Sequence, residues 1–310
     1  MKIPAVSICI PSYNYGRYMA DAIESVLRQT CDNWELVIVD DLSSDDSVDV
    51  AQRFAAGDSR IKVHVNEQNL GMTMNWNRCM EYATGRYIKF LCGDDVLESE
   101  CVEKMQSVLD EHPEVTLVTS ARLYADENLQ PLKLFSYAGS SAIYPGLEAI
   151  NRCLFNGNYI GEPTAVMFRA DAAVRGFNTR YRHLQDLEMW FHLLEKGDLA
   201  VIPEPLCRFR QHEAQGTKNN VKSLAFLDDE NKLYNDFIGK PYISSNSWNR
   251  RCWRFRVAYA IWNYRRYLDP AYYHQAVSRY WNPFLFRLCL PFWLALRKLV
   301  KIISYRNWRG

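Results

Sequence analysis

Two pairs of adjacent carboxylates stand out in this 310-residue chain. Asp94-Asp95 closely follows the apolar run Tyr87-Ile88-Lys89-Phe90-Leu91, and Asp40-Asp41 follows Leu36-Val37-Ile38-Val39. Each run has the make-up of a buried strand, so both pairs would sit where a strand gives way to a loop. Strands of one parallel sheet would bring four negative charges to its carboxyl edge, where open α/β sheets bind ligands. Like charges at that density are costly unless a cation offsets them. The chemistry expected is a divalent metal holding a phosphorylated ligand.

The elements that must position these groups follow from periodicity. Val6–Ile10, Leu36–Val39, Ile61–Val65, Tyr87–Leu91 and Val115–Thr119 read as strands. Tyr18–Leu27, Ser47–Ala55, Thr73–Tyr82 and Val102–Leu109 read as the helices between them. Ser43-Ser44-Asp45-Asp46 supply capping candidates for the second helix. This β-α-β-α order predicts a doubly wound, mostly parallel α/β sheet. Beyond Arg122 the pattern is less regular: a hairpin over Leu123–Tyr137, a helix over Gly146–Phe155, a strand at Ala165–Phe168 and two short strands, Leu199–Ile202 and Leu206–Phe209. From Leu224 onward the chain reads as helical, with Pro283 and Pro291 breaking the last part into segments. The expected organisation is an α/β domain over 1–220, with a less regular part at about 123–220, and a helical extension over 221–310.

Composition narrows the setting. The nine cysteines are scattered, odd in number and form no C-x-x-C, as expected of reduced thiols and not of a disulfide framework or a zinc site. Met1-Lys2-Ile3-Pro4 runs straight into a strand pattern, from which no secretory signal is expected. A net charge of +1 hides an asymmetry: residues 247–310 carry thirteen Lys/Arg against Asp269 alone, whereas residues 1–246 carry 24 basic and 35 acidic side chains. The basic segment is also rich in Trp, Tyr and Phe. Its last stretch, Phe292–Ile303, puts Phe292, Leu296, Leu299 and Ile303 on one helical face and Arg297, Lys298 and Lys301 on another. Charges interrupt it too often for a spanning helix, so an interfacial helix is expected, with a packed terminal helix as the alternative.

Taken jointly, several motifs resemble the family 2 inverting glycosyltransferases, whose nucleotide-sugar-binding fold is termed GT-A. They are Val6-Ser7-Ile8-Cys9-Ile10-Pro11-Ser12-Tyr13-Asn14, Ser25-Val26-Leu27-Arg28-Gln29-Thr30, Glu35 to Asp41 with Ser43-Ser44-Asp45, Asn69-Leu70-Gly71 with Asn75, and Ala83-Thr84-Gly85-Arg86-Tyr87-Ile88. The match is strong over roughly the first 100 residues and patchy to about His212.

The resemblance implies roles for individual residues. Pro11, Tyr13, Asp40, Asp41 and Asn69 would line the nucleotide site, Tyr13 stacking on the base and Asp41 accepting from a ring N–H. Asp94 would contact the ribose or the metal, and Asp95 would bind Mg²⁺ or Mn²⁺ at the diphosphate. Many relatives carry Asp-x-Asp-Asp here, and this chain has Cys92 at the first position. Asp186 in Gln185-Asp186-Leu187-Glu188 would be the general base, with Gln185 in place of the usual acid and Glu188 structural. In Arg208-Phe209-Arg210-Gln211-His212, the arginines would neutralise the diphosphate and His212 would meet the metal or a phosphate. Gly161-Glu162-Pro163-Thr164 would lie near the acceptor.

The function so implied is transfer of a sugar from a UDP-, dTDP- or GDP-linked donor to an acceptor hydroxyl with inversion. Polysaccharide or lipopolysaccharide synthesis is the expected setting, with a glycan or lipid-linked acceptor and a cytoplasmic location peripheral to the inner membrane face. Two alternatives stay open. A sugar-phosphate nucleotidyltransferase would need a Gly-rich loop and a basic residue after the first strand, where Ser12-Tyr13-Asn14-Tyr15-Gly16 stands instead. A degenerate transferase kept as a scaffold would explain the losses at Cys92 and Gln185. Nucleic acid is not an expected partner, since no recognised module accompanies the basic tail.

Overall fold

In the computed structural model of the protein, residues 4–212 and 225–292 are described. The chain divides into two compact units, one running to Gly146 and resuming over Ile160–His212, the other made of Leu147–Tyr159 and the C-terminal residues.

The first unit is built on one ten-stranded sheet. Its N-terminal half alternates β1 (Val6–Ser12), α1 (Gly16–Leu27), β2 (Trp34–Asp40), α2 (Ser47–Ala55), β3 (Ile61–Val65), α3 (Met72–Tyr82) and β4 (Tyr87–Phe90). Then come β5 (Val96–Leu97), α4 (Cys101–Glu111), β6 (Val115–Ala125), β7 (Pro131–Phe135) and β8 (Ala142–Tyr144). After α5 (Gly146–Asn156), the order is β9 (Val166–Arg169), α6 (Gln185–Leu194) and β10 (Asp198–Arg210). The strand order is β3-β2-β1-β4-β9-β6-β10-β5, with β7 on β6 and β8 on β10. β1 is parallel to β2 and β4, β2 to β3, and β6 to β10. β9 runs antiparallel to both β4 and β6, so β6 regains the direction of β4.

β1 and β2 are buried on both faces, which is why they read as unbroken apolar runs. Ile8 and Ile10 face a core shared with Met19, Ile23, Val26, Leu36, Ile38, Val102 and Met105. The Cys9 thiol points the other way, to the carbonyl of Cys79 in α3. Beyond it, Trp76, Phe90, Phe168, Phe177 and Trp190 form a chain of tilted, stacked and edge contacts under α6. Gln29, from the motif that ends α1, joins three segments: its amide donates to the carbonyls of Ser25 and Glu98 at 3.0 and 2.9 Å, and its oxygen accepts from Val102 N–H at 2.9 Å.

Two readings of the sequence change. Leu199–Ile202 and Leu206–Phe209 are one strand, β10, that stays paired with β6 through register shifts between Ile202 and Pro205 and between Pro205 and Cys207. Two prolines two positions apart, Pro203 and Pro205, suggest a break by sequence, yet a bulged strand carries them. Pro283 starts a helical stretch, with Asn282 Oδ1 accepting from the N–H groups of Phe284 and Leu285 at 3.0 and 3.1 Å, and helix continues through Pro291 to residue 292. The rest of the expected interfacial helix lies outside the described residues.

The second unit holds α7 (Ala225–Ile238), α8 (Ser247–Asn263) and α9 (Pro270–Tyr280), and residues 147–156 of α5 belong to it. Asn151 explains that allegiance, donating to Tyr242 O at 2.8 Å and accepting from Ser244 N–H at 2.7 Å. Arg256 of α8 pairs with buried Glu230 of α7 through both guanidinium branches, at 2.5 and 2.6 Å. No helix among the described residues is long and apolar enough to cross a membrane.

Candidate active site

The register of the sheet dictates where the carboxylates meet. Ser12 pairs with Asp40 across β1 and β2, and Cys9 pairs with Phe90 across β1 and β4. The loops bearing Tyr13, Asp41 and Asp94 therefore leave one carboxyl edge.

At the first loop pair, Asp40 is consumed by its own turn: Oδ1 accepts from Ser43 N–H at 2.7 Å and Oδ2 from the Ser43 hydroxyl at 2.6 Å. Ser43 Oγ also accepts from Asn14 N–H at 2.8 Å, stapling the two loops together. Asn14 and Leu42 both adopt left-handed backbone, with φ of 59° and 63°. Asp41 is buried, and its Oδ1 accepts from Asn66 Nδ2 and Leu70 N–H, both at 2.8 Å. Its Oδ2 accepts from Gly71 N–H at 2.8 Å. Gly71 opens α3 at φ +81°, a region glycine enters without steric cost, and this turns its N–H onto Asp41. Asn69 donates to the Asp41 carbonyl at 3.0 Å. Asp41 thus organises this loop through three donors, and its Oδ2 keeps capacity for one more. Pro11 is buried within β1, and Tyr13 stands 51% exposed beside these loops.

Asp45, one of the capping candidates, bridges two helix starts instead of capping one. It accepts from Gly16 N–H of α1 at 2.9 Å and from the hydroxyl and N–H of Ser47 of α2 at 2.5 and 3.0 Å; burial pushes its carboxyl up, and these bonds, the Ser47 hydroxyl foremost, hold it below the usual range.

At the second edge, ligand atoms from Cys92, Asp94 and Asp95 lie within 4.8 Å of one another. Asp95 is buried, and both its oxygens accept: Oδ2 from the Thr164 hydroxyl at 2.5 Å and Oδ1 from Arg210 N–H at 2.9 Å. Burial, then the neighbouring Asp94 charge, push its carboxyl upward, and burial, then the Asp95 and Asp94 charges, push the Cys92 thiol upward. Asp94 Oδ2 lies 2.9 Å from His212 Nε2, and its Oδ1 has no hydrogen bond among the described residues. Asp94 therefore offers, in Oδ1, an oxygen with no hydrogen bond beside His212, whereas Asp95, expected to be the direct ligand, already accepts one hydrogen bond on each oxygen and keeps capacity for more. The donor set fits a divalent ion that prefers oxygen with one imidazole.

The arginines are engaged too. Arg210 donates to the carbonyls of Asp94 and Glu127 at 2.7 and 2.5 Å and to Asp21 Oδ2 at 2.7 Å, with Tyr18 under its guanidinium. Arg208 pairs with Glu98 at 2.7 Å. Both bind protein partners, so a direct diphosphate contact would need rearrangement.

Asp186 opens α6 and accepts from Leu187 N–H at 2.7 Å. Its side chain is partly accessible, yet desolvation, reinforced by the Glu162 charge, lifts its carboxyl to about 7. Preceding it, Gln185 is buried, with its amide 3.0 Å from the Met72 sulfur. Glu188 forms a bidentate pair with Arg175 at 2.8 and 2.7 Å, a structural contact.

Sequence reasoning missed Arg122, Tyr124 and Lys89 and underrated Thr164. Arg122, buried, is ion-paired with Glu162, and Tyr124 donates to the same carboxylate at 2.6 Å. Gly161, at φ +125°, leaves room for the guanidinium: a Cβ there would come within 2.7 Å of Arg122 Nη1. Its carbonyl accepts from Trp190 Nε1 of α6 at 2.9 Å. Thr164, three residues on, holds Asp95, and fully buried Lys89 donates to the Thr164 carbonyl. Segment 161–164 so ties the Asp95 edge to the helix of Asp186. The available signal was a lysine inside an apolar strand, which must find a buried acceptor.

Fold and site together define a GT-A glycosyltransferase. The family model "Glycosyl transferase family 2" matches residues 7–177, and the chain belongs to that family. It is 35% identical over 209 residues to the Bacillus subtilis glycosyltransferase TuaG, named for teichuronic acid biosynthesis, covering 67% of this chain and 79% of that one. It is 29% identical over 238 residues to the Escherichia coli UDP-Glc:alpha-D-GlcNAc-diphosphoundecaprenol beta-1,3-glucosyltransferase WfgD, covering 76% and 87%. Among solved structures, Staphylococcus aureus TarS in complex with UDP-GlcNAc superposes with a TM-score of 0.58 at 15% identity, over 83% of this chain and 80% of that one. The Pyrobaculum calidifontis mannosyltransferase PcManGT, with GDP-Man and Mn²⁺, gives 0.56 at 14% identity, over 98% and 86%.

Proposed function

We propose that this glycosyltransferase is a metal-dependent inverting enzyme that moves a sugar from a nucleoside diphosphate to the hydroxyl of a lipid-linked glycan. The observation that carries this reading is the pairing of Asp94 and His212 at the carboxyl edge of the sheet, with segment 161–164 tying that edge to the helix that Asp186 opens. The nucleoside would enter over Tyr13, with Asp41 fixing the loop that receives it. Asp94 and His212 would hold the cation, and Asp95 would fix their loop through Thr164 and Arg210. When bound, the cation would neutralise charge on the departing diphosphate. Asp186, ionised above pH 7, would take the proton as the acceptor oxygen bonds to the anomeric carbon. The bond to the diphosphate breaks on the opposite face, which inverts the centre. A carboxyl near 7 suits this role, since a base works best close to the ambient pH.

The names of TuaG and WfgD support cell-surface polysaccharide synthesis and an acceptor on a polyprenyl diphosphate, and with them a position peripheral to the inner membrane face. The scaffold reading is not favoured, because carboxylates, imidazole and base candidate are all retained. The test is a panel of UDP-, GDP- and dTDP-sugars with Mn²⁺, read by thermal shift and by slow donor hydrolysis. One nucleotide class should stabilise the protein and be hydrolysed, and Asp186→Asn should abolish transfer to an added acceptor. A panel without stabilisation or turnover would sink the proposal.

A further inference from the structure

The helical stretch 283–292 of the C-terminal unit is apolar on both sides. Phe286 and Leu290, four positions apart, are buried, and the Phe286 ring lies 5.3 Å from Phe255 of α8. A surface helix in water should then turn polar outward. Here Phe284, Leu285, Leu288 and Phe292 are exposed to 70%, 51%, 61% and 75%. Phe284, Leu288 and Phe292 follow one another at four-residue steps, so they form a single outward stripe. Contiguous exposed apolar surface of this kind marks a binding face.

What lies beside the stripe says what covers it. Leu285 also lines a cavity of about 250 Å³ with Arg251, Arg254, Ser278, Tyr280, Trp281 and Asn282. Arg251 and Arg254 are exposed and make no ion pair or hydrogen bond among the described residues. Between residues 247 and 292 the sequence carries arginines at 250, 251, 254, 256, 265, 266, 279 and 287 against Asp269 as the only acid, and of these Arg256 is paired with Glu230. A protein partner for the stripe would have to match apolar residues and a strong positive field together. An anionic bilayer supplies both: phosphate headgroups for the guanidinium cavity and acyl chains for the stripe.

We infer that residues 283–292, with Arg251 and Arg254, form a site that docks the protein on an anionic phospholipid surface, the stripe entering the acyl boundary and the cavity taking a headgroup phosphate. This deepens the membrane location proposed above and adds the residues that create it.

The test uses the full chain and vesicles of phosphatidylcholine with or without about one-third phosphatidylglycerol. Flotation should show binding to the anionic vesicles alone, weakened on the order of ten- to thirtyfold by Arg251→Ala with Arg254→Ala, at roughly fivefold per guanidinium. The variant Phe284→Ser/Leu288→Ser/Phe292→Ser should lose binding while keeping its circular dichroism and its hydrolysis of the donor. Unchanged binding by either variant overturns the inference, and so does a dimer in light scattering that the serine variant dissolves, since a second copy would then own the stripe. Donor hydrolysis separates the two readings: its loss in Asp186→Asn with vesicle binding intact concerns catalysis alone, and failed flotation with intact hydrolysis concerns docking alone.

Discussion

His212 Nε2 and Asp94 Oδ2 lie 2.9 Å apart, joined across 118 positions of sequence by the return of β10 to the carboxyl edge of β4. His212 leaves the end of β10 two residues after Arg210, whose N–H already grips Asp95. One strand end therefore sets both carboxylates, Asp94 through an imidazole and Asp95 through the backbone.

Removal of the imidazole should thus act on the cation before it acts on the fold. Even a group that only orients a metal-binding carboxylate typically contributes ten- to a hundredfold in metal affinity, and a side chain proposed to hold the ion should matter at least as much. In His212→Ala, the Mn²⁺ concentration giving half-maximal activity should rise by at least that factor, while the melting temperature without metal changes little. An unchanged Mn²⁺ titration would remove His212 from the site.

Thr164→Val should be worse for the fold than its size suggests. The isosteric change strips the hydroxyl from Asp95 Oδ2 and leaves a buried carboxylate oxygen without that donor. Such an orphan costs about 1–3 kcal/mol, and more when charged. Urea denaturation should show a loss in this range for Thr164→Val and near wild-type stability for Thr164→Ser, which keeps the donor. Equal stability of valine and serine variants would show that Asp95 does not need Thr164.

What could be read in advance divides by range. The strands β1 to β4 and helices α1 to α4 were legible because each carries its own period, and their joint order fixed the sheet edge where Asp41 and Asp94 emerge. The expected partners of those carboxylates were less legible. Whether Asp41 or Asp95 still has a vacant oxygen depends on donors at Gly71, Thr164 and Arg210, up to 115 positions away. No local pattern encodes such a contact. The same holds for Arg122 and Glu162, whose pairing needs the left-handed turn at Gly161 as much as either charge.

Asn75 offers a test of how the nucleotide loop is held. Its amide donates to the carbonyls of Val39 and Ser12 at 3.0 and 3.4 Å, and its oxygen accepts from Asn66 at 2.9 Å, which in turn holds Asp41. Asn75→Leu leaves those carbonyls buried without their side-chain donor and should cost about 2–3 kcal/mol. The stabilisation conferred by the cognate nucleoside diphosphate should fall as well, since Asp41 loses its support. A variant that is less stable but binds nucleotide as tightly would separate the fold from the site.

Asp186 makes a prediction in pH. Its carboxyl, at about 7 in the fold, titrates near 3.9 in an unfolded chain. The native state therefore binds the proton more tightly, and between those values it carries more protons than the unfolded state. By linkage, stability falls as pH rises from about 4 to 7 and levels off above. The full interval corresponds to about 4 kcal/mol at 1.36 kcal/mol per unit, and partial exposure of the side chain reduces this to on the order of 1–3 kcal/mol. Asparagine has no such titration. Asp186→Asn should match the wild type in urea near pH 4, and should exceed it by that amount at pH 8. Activity of the wild type should fall about tenfold per unit below pH 7, because the base is then protonated. A stability difference that does not vary with pH would mean that Asp186 ionises as it does in water, and would withdraw the basis for its role as the base.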